Sequence, residues 1–477
     1  MEALPDLFLL SVAEKDALIV DLWLLVRKLT SQVTTLESKV LELEARLAQN
    51  SRNSSKPPSS DGLSKPKPQS LRKAGEHPNG GQTGHPGHAR EKVTTPDRTE
   101  MHRPSSHCDA CGGFLNVPTV VESRQVFDLP KRGFEVTEHQ VLAGQCAACG
   151  KICRGEFPEG IRAPVQVGPA ALAAVVHRTH HHMMPVQRTA ALMGDFFGLP
   201  MAEATVLAAS EEARLRLQPT VDAMGHAIQT APVAHADETG MRVAGSLHWM
   251  HVLATETLTW VACHAKRGKQ AFDDLAILPG FLGTLIHDGW KPYRELRCQH
   301  GLCNVHPLRE LTYVFEEYEQ AWAGQMIDLL TAACHEVNTV GSPLPAERAA
   351  DLRSRYAVIL GAGEAINPLV EKSGQRGRTR QSKPANLLLR LRTYTDDVWR
   401  FATDHNVPFT NNLAEQAVRK PKVKPKISGG FRTKNGADNF CIIRSYLATL
   451  HKQGGQSLPR PYLVLPGANP SASIRLI

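Results

Sequence analysis

The chain has 477 residues, with 55 Lys and Arg against 47 Asp and Glu, a formal net charge of +8. A hydrophobic share of 42% supports folded cores and excludes wholesale disorder, a collagen-like chain or a disulfide scaffold; the length suits about three domains. No apolar run reaches the ~18 residues of a bilayer span, and the acidic start lacks the basic region of a secretory signal, so a cytoplasmic protein with no membrane partner is expected.

Residues 16–49 read as a coiled coil. Ile19, Leu22, Val26, Leu29, Val33, Leu36, Val40, Leu43 and Leu47 follow one another in steps of three and four. One phase is β-branched and the other is Leu, the pattern that favours a parallel two-stranded coil and hence a homodimer. The competing reading is an amphipathic helix packed on its own domain. Residues 50–100 change character and read as a flexible basic linker. Between 51 and 75 six Lys and Arg face one acid, Asp61, so a solvated linker and a phosphate-contacting arm both fit.

Residues 101–160 carry two Cys-x-x-Cys pairs, Cys108/Cys111 and Cys146/Cys149, each followed by glycine. Two such knuckles suit one tetrahedral Zn2+, with the intervening residues forming a hairpin between them; a closed four-thiolate site is structural. The other six cysteines are scattered. Residues 161–228 read as a helical, helix-turn-helix-like DNA-binding region. One helix begins at Val186 and a second at Met201, separated by Phe197-Gly198-Leu199-Pro200. The second helix is poor in basic residues until Arg214 and Arg216, which weakens any claim to base reading.

From 229 to 304 the pattern turns β-rich. Short strands over 233–237, 241–243, 247–253 and 257–263 precede a helix at 269–277 and a strand over 281–289; Asp237 ends the first strand and Asp288 the last. This is the layout of an RNase H-like sheet, in which neighbouring strand ends bring the two acids together. A helical insertion over 305–405 follows. A C-terminal part of the core spans 406–452, with Glu415 on the first turn of a helix, and a tail covers 453–477. Three converging carboxylates suit two divalent ions and phosphodiester chemistry. Taken singly, a strand end, an Asp-Gly turn and an Asn412-x-x-Glu415 capping box explain the same residues without chemistry.

Seven Lys and Arg and no acid occupy 419–434: Arg419, Lys420, Lys422, Lys424, Lys426, Arg432 and Lys434. Standing directly after Glu415, this strip is expected to bind DNA phosphates, as is the run Arg376, Arg378, Arg380 in the insertion. Cys298, His300, Cys303 and His306 have metal-ligand spacing, but a role for Cys303 and His306 beside the three acids is preferred to a second zinc site.

Several segments in order resemble the transposases of the insertion sequence 66 family. They are the N-terminal coil, Asn53-Ser54-Ser55-Lys56-Pro57-Pro58-Ser59, Gly80-Gly81-Gln82-Thr83-Gly84-His85, the paired Cys-x-x-Cys, His235-Ala236-Asp237-Glu238-Thr239 and Ile286-His287-Asp288-Gly289-Trp290. Cys303-Asn304-Val305-His306, Asn411-Asn412-Leu413-Ala414-Glu415 and Lys426-Ile427-Ser428-Gly429-Gly430-Phe431-Arg432-Thr433 complete the set. The resemblance implies a DDE transposase with a multidomain α/β fold and the triad Asp237, Asp288 and Glu415. The 126 residues between the last two acids match the helical insertion such an enzyme carries. It also implies two Mg2+ or Mn2+ ions at the triad and cleavage of transposon ends. The freed 3′-hydroxyls are then joined to target DNA. The implied partners are double-stranded DNA (terminal inverted repeats and target) and the element's accessory proteins, at the bacterial nucleoid. The competing functions are a non-catalytic DNA-binding regulator and a structure-selective nuclease on the same scaffold.

Overall fold

The structure, a computed structural model, describes residues 11–54, 92–96, 99–101, 110–111, 120, 123–125, 133–145, 147, 149, 151–371, 379 and 381–454. Cys108, Cys146, Arg376, Arg378, Arg380, most of the 50–100 linker and the tail from 455 lie outside them. The chain forms two compact units. One comprises Ser70–Pro158 and Ala190–Ala202; the other comprises Met1–Gln69, Glu159–Thr189 and Glu203–Ile477.

The first helix, α1 (Val12–Leu47), starts at a reciprocal capping box: the Glu14 amide donates to Ser11 Oγ (3.3 Å) and the Ser11 amide to Glu14 Oε2 (2.7 Å). All nine heptad positions, from Ile19 to Leu47, are exposed, so the competing reading of a helix packed on its own domain fails. Just beyond its end, Asn53 and Ser54 are buried and Arg52 pairs with Glu316.

In the smaller unit, β1 (Ala143–Gln145) and β2 (Ile152–Arg154) pair antiparallel, Gly144 opposite Cys153. Cys149 therefore lies on the loop of a hairpin. Half of the residues between the two knuckles, where the sequence reading put a hairpin, lie outside the described residues. Cys111 and Cys149 are both exposed.

Three helices follow: α2 (Pro169–His180), α3 (Val186–Phe197) and α4 (Glu203–Gln229). Gly198 links the last two at a φ of 63°, a left-handed conformation that glycine adopts without strain. The expected second helix is a 27-residue core helix rather than a short reading helix. Val206, Ala213, Leu217 and Met224 are buried, and α4 packs on the last helix of the chain. Its two arginines pair locally, Arg214 with Glu211 and Arg216 with Glu212.

The sheet is built from β3 (Val233–Val243), β4 (Ser246–Ala254), β5 (Thr259–His264), β6 (Thr284–His287) and β7 (Gln299–Leu302), in the order β5-β4-β3-β6-β7. The first three run antiparallel and the last two run parallel to β3. The two expected strands at 233–237 and 241–243 are one, because the polar stretch Glu238-Thr239-Gly240 keeps its ladder to β4. The turn Ala244-Gly245 has positive φ at both residues (49° and 79°), as a twist-matched two-residue hairpin requires. Between β5 and β7 lie α5 (Lys269–Leu275) and the short α6 (Lys291–Arg294).

The insertion is helical, as expected: α7 (Val305–Glu317), α8 (Ala321–Val340), α9 (Ala346–Ile366), α10 (Lys383–Thr393) and α11 (Thr395–Thr403). It buries a core of its own around Trp322, Met326, Tyr356, Leu388 and Trp399. The chain then returns to the sheet as α12 (Asn412–Ser428) and α13 (Lys434–Lys452). Val418, Phe431, Phe440 and Cys441 from this return segment cover Met241, Met250, Val252 and Val261 on one face of the sheet. Packing of this kind stabilises by about 25 cal/mol per Å2 of apolar surface removed from water.

Candidate active site

Asp237 lies on β3 and Asp288 directly follows β6. The parallel ladder pairs Ala234 with Leu285 and His235 with Ile286. Carried two residues further, that register sets Asp237 beside Asp288 on strands about 4.8 Å apart. Each carboxylate is held locally. The Glu238 amide donates to Asp237 Oδ1 (2.8 Å), and the Trp290 amide donates to Asp288 Oδ1 (2.8 Å). Gly289 between them has a φ of 86°, and a Cβ there would stand 3.0 Å from Leu302 Cδ1, so the turn after Asp288 needs glycine.

Burial is the main cause that pushes the Asp237 carboxyl up to about 6; the charges of Glu238 and Asp288 push the same way and that of Lys422 opposes them. Crowded, half-buried carboxylates of this kind are relieved by a divalent cation, so the three acids fit such ions by charge and by their hard oxygen donors.

Glu415 is delivered by Asn411, the residue before α12. The Asn411 amide nitrogen Nδ2 donates to the Ala236 carbonyl (2.8 Å), and its Oδ1 faces His235 Nδ1 (2.9 Å), which therefore carries the proton. The Asn411 backbone amide donates to Cys303 Sγ (3.2 Å). One residue thus ties the helix start to β3 through its side chain and to the loop after β7 through its backbone. The capping-box alternative for Glu415 fails, because Asn412 is already helical and no side chain caps α12. Glu415 turns instead to Cys303, whose thiol donates to its Oε1 (3.5 Å), and to His306 Nε2 (3.7 Å). The hydrogen bond from His306 is the main cause that lowers the Glu415 carboxyl. Burial pushes the His306 imidazole down, but Cys303, Glu415 and the charge of Asp288 outweigh it and lift it to about 10. The ligand atoms of Cys303, His306 and Glu415 all lie within 4.8 Å of one another. His300 faces His287 instead (3.1 Å) and Cys298 is buried, so the four-residue cluster considered from spacing is split.

Sequence reasoning passed over Glu238 and its partners. The Glu238 side chain is 2% exposed and accepts from Arg267 Nε (2.9 Å), Arg267 Nη2 (2.6 Å) and the Tyr293 hydroxyl. The Arg267 guanidinium lies between Trp249 (4.7 Å) and Trp290 (4.1 Å). Since Trp290 also donates to Asp288, this chain of contacts links both aspartates; the only signal in the sequence was a second acid beside Asp237.

The basic strip follows on α12 and beyond. Arg419, Lys420, Lys422, Lys426 and Arg432 are exposed, and Lys422 acts on Asp237. Lys424 is buried over Phe431 and donates to Ser428 Oγ (3.2 Å) and the Gly429 carbonyl (3.0 Å), so its charge is used inside the fold. Lys434 pairs with Asp438.

The Transposase IS66 family matches residues 164–439, more than half of the chain and a span that holds all three acids. The zinc-finger binding domain of transposase IS66 matches 105–150, which includes Cys108, Cys111, Cys146 and Cys149 and supports a structural zinc. Residues 2–91 match a family of unknown function. No curated protein matches the chain. Among the described residues no helix is long and apolar enough to cross a membrane. The order of the motifs and these two matches agree: the chain belongs to the IS66 family of transposases.

Proposed function

We propose that this transposase cuts DNA at the ends of its element and joins the freed 3′-hydroxyls to target DNA, with Asp237, Asp288 and Glu415 as the catalytic carboxylates of an RNase H-like core. The observation that carries the reading is the β3–β6 register, with α12 bringing Glu415 to the same end of the sheet through Asn411. When bound, two Mg2+ or Mn2+ ions held by these acids would activate the attacking hydroxyl and offset charge on the leaving oxygen.

The chain's own residues do the rest. Cys303 and His306 keep Glu415 ionised and aimed. Glu238, Arg267 and Trp290 hold the two aspartates in register. Arg419, Lys420, Lys422, Lys426 and Arg432 present charge to DNA phosphates alongside the acids, in addition to Arg376, Arg378 and Arg380. The exposed heptads of α1 pair two chains in parallel. The zinc domain and the helical region contribute DNA contacts away from the cut. Accessory proteins of the element complete the machinery at the nucleoid.

The test is the purified chain with Mg2+ and labelled duplex carrying an element end. Joined product supports the transposase, cleavage without joining supports a nuclease, and binding alone supports a regulator. Asp237→Asn is expected to remove both chemical steps and leave DNA binding intact. Joining at the wild-type rate by that variant would overturn the assignment of the triad.

A further inference from the structure

The histidine-rich turn after α2 has no place in the chemistry described above. His177 and His181 stack face to face, ring centroids 4.7 Å apart, and His182 stands edge-on to both at 5.0 Å. Their ligand atoms lie within 4.8 Å of one another. His177 Nε2 is buried with no hydrogen-bond partner among the described residues, and the turn is held by Met183 at a φ of 59°, a strained conformation for a residue with a side chain.

Arg444 comes up from α13 against this cluster. It is 8% exposed, and its Nη1 lies 3.2 Å from His181 Nδ1, which must accept because a guanidinium only donates. Among the described residues no carboxylate pairs with Arg444. Burial alone brings its guanidinium down, to about 10, with no acid raising it. The charges acting on His181 are those of Arg444, His177, His182 and Lys420, all on the cationic side. The carbonyl end of α2 offers only about half a negative charge. A guanidinium so buried is costly without a counter-charge.

Three imidazoles suggest a transition-metal site, but a divalent cation would add two charges beside a cation already unbalanced. It would also compete with Arg444 for His181. An anion resolves both problems: Arg444 supplies the charge, and with Nδ1 of His181 accepting, its Nε2 carries a proton to donate.

We infer that His177, His181, His182 and Arg444 form a phosphate-binding site that takes one backbone phosphate of the bound DNA. The inference rests on the DNA-binding part of the function proposed above. Lys420 links the two places: it lies on α12, five residues beyond Glu415 and so about 8 Å along the helix. DNA following α12 from the three acids reaches the cluster.

The experiment uses the full-length chain and measures duplex affinity against salt. His182→Ala, an exposed position, and Arg444→Lys, which keeps the charge but loses the fork, are compared with wild type. Neither variant removes a Lys or Arg charge, so the slope of log affinity on log salt is expected to hold while affinity falls about tenfold in each, by a similar factor for any duplex sequence. A melting curve controls for folding; if Arg444→Lys does not fold, His182→Ala carries the test. Inorganic phosphate separates the sources. Thermal protection of wild type by phosphate, together with unchanged duplex affinity in the variants, would give the site to free phosphate and overturn the DNA assignment. Zn2+ uptake beyond the zinc finger, lost in His182→Ala, would overturn it in favour of a metal. If wild type binds no DNA at all, the failure lies with the proposed function instead.

Discussion

Asn411 has more to do than its place in a motif suggests. Its amide joins residues 175 and 176 positions away, Ala236 and His235, and its backbone meets Cys303. Asn411→Ala leaves a buried N–H and a buried carbonyl without partners, a loss of about 1–3 kcal/mol for each group. Urea denaturation should show that loss, and cleavage should slow further than stability alone explains, because the start of α12 is no longer tied to β3. Gly289→Ala tests the turn that holds Asp288. A left-handed conformation costs a residue with a side chain about 1–2 kcal/mol, and the added methyl also meets Leu302. The expected result is a lower melting temperature and weaker Mn2+ binding, with duplex affinity unchanged. Arg267→Lys keeps the charge facing Glu238 but loses the fork between Trp249 and Trp290. Cleavage should drop while DNA affinity holds; equal loss of both would count against a positioning role. That Asp237 lies on a strand, Asp288 at a strand end and Glu415 in the first turn of a helix was legible from local patterns. The partners that aim them were not, because contacts across 175 residues leave no local trace in periodicity or spacing.

Secondary elements repeat that division. The α1 heptads, the β3–β5 meander and the helical insertion followed from apolar periodicity, which is a local property. The strand β7 (Gln-His-Gly-Leu) was missed because it is short and mostly polar, and it forms only because β6 provides a parallel partner. The break expected inside β3 vanished for the same reason: pairing with β4 overrides the weak strand propensity of Glu238 and Gly240. The helix α4 is poor in basic residues, which already weakened any claim to base reading, and its apolar face belongs to the core. For α1 the prediction concerns association. Leu29→Asp with Leu36→Asp places charges in the exposed seam of the helix. Sedimentation should then report a monomer, against the dimer proposed for wild type, with the far-ultraviolet spectrum of the rest of the chain retained. A dimer that persists would place the interface elsewhere.

At the scale of the whole molecule, the titration of buried histidines sets the acid limit of stability. Burial is the leading cause that lowers His177, His235 and His251 to about 4 and His180 and His181 to about 3, and it takes His287 well down too. In the unfolded chain each titrates near 6.5. Between 6.5 and the folded values the unfolded state therefore binds more protons, and stability falls as pH falls. Each such group contributes at most about 1.4 kcal/mol per pH unit. Asp237, raised to about 6, and Glu238, also raised by burial, have the opposite sign, but they are two groups against six. The melting temperature is expected to drop steeply from pH 6.5 towards 4, and to decline gently as pH rises above 6.5, where His306, lifted to about 10, binds its proton in the folded state only. A flat profile would mean that these histidines reach solvent in the native state.

The length of the insertion has a consequence in time. Asp288 leaves the ribosome with 126 residues still to come before Glu415, and Asp237 leaves earlier still. At roughly 5–20 residues per second, this is a delay of about 6–25 s. During that interval the nascent chain already has its zinc domain and most of its sheet, but not its third acid. Five helices and their core must come first, and α12 and α13, which close one face of the sheet, come last. With the triad proposed above, an interrupted or truncated chain is a chain without the means to cut DNA, so the order of synthesis would itself be a safeguard for the genome that encodes it.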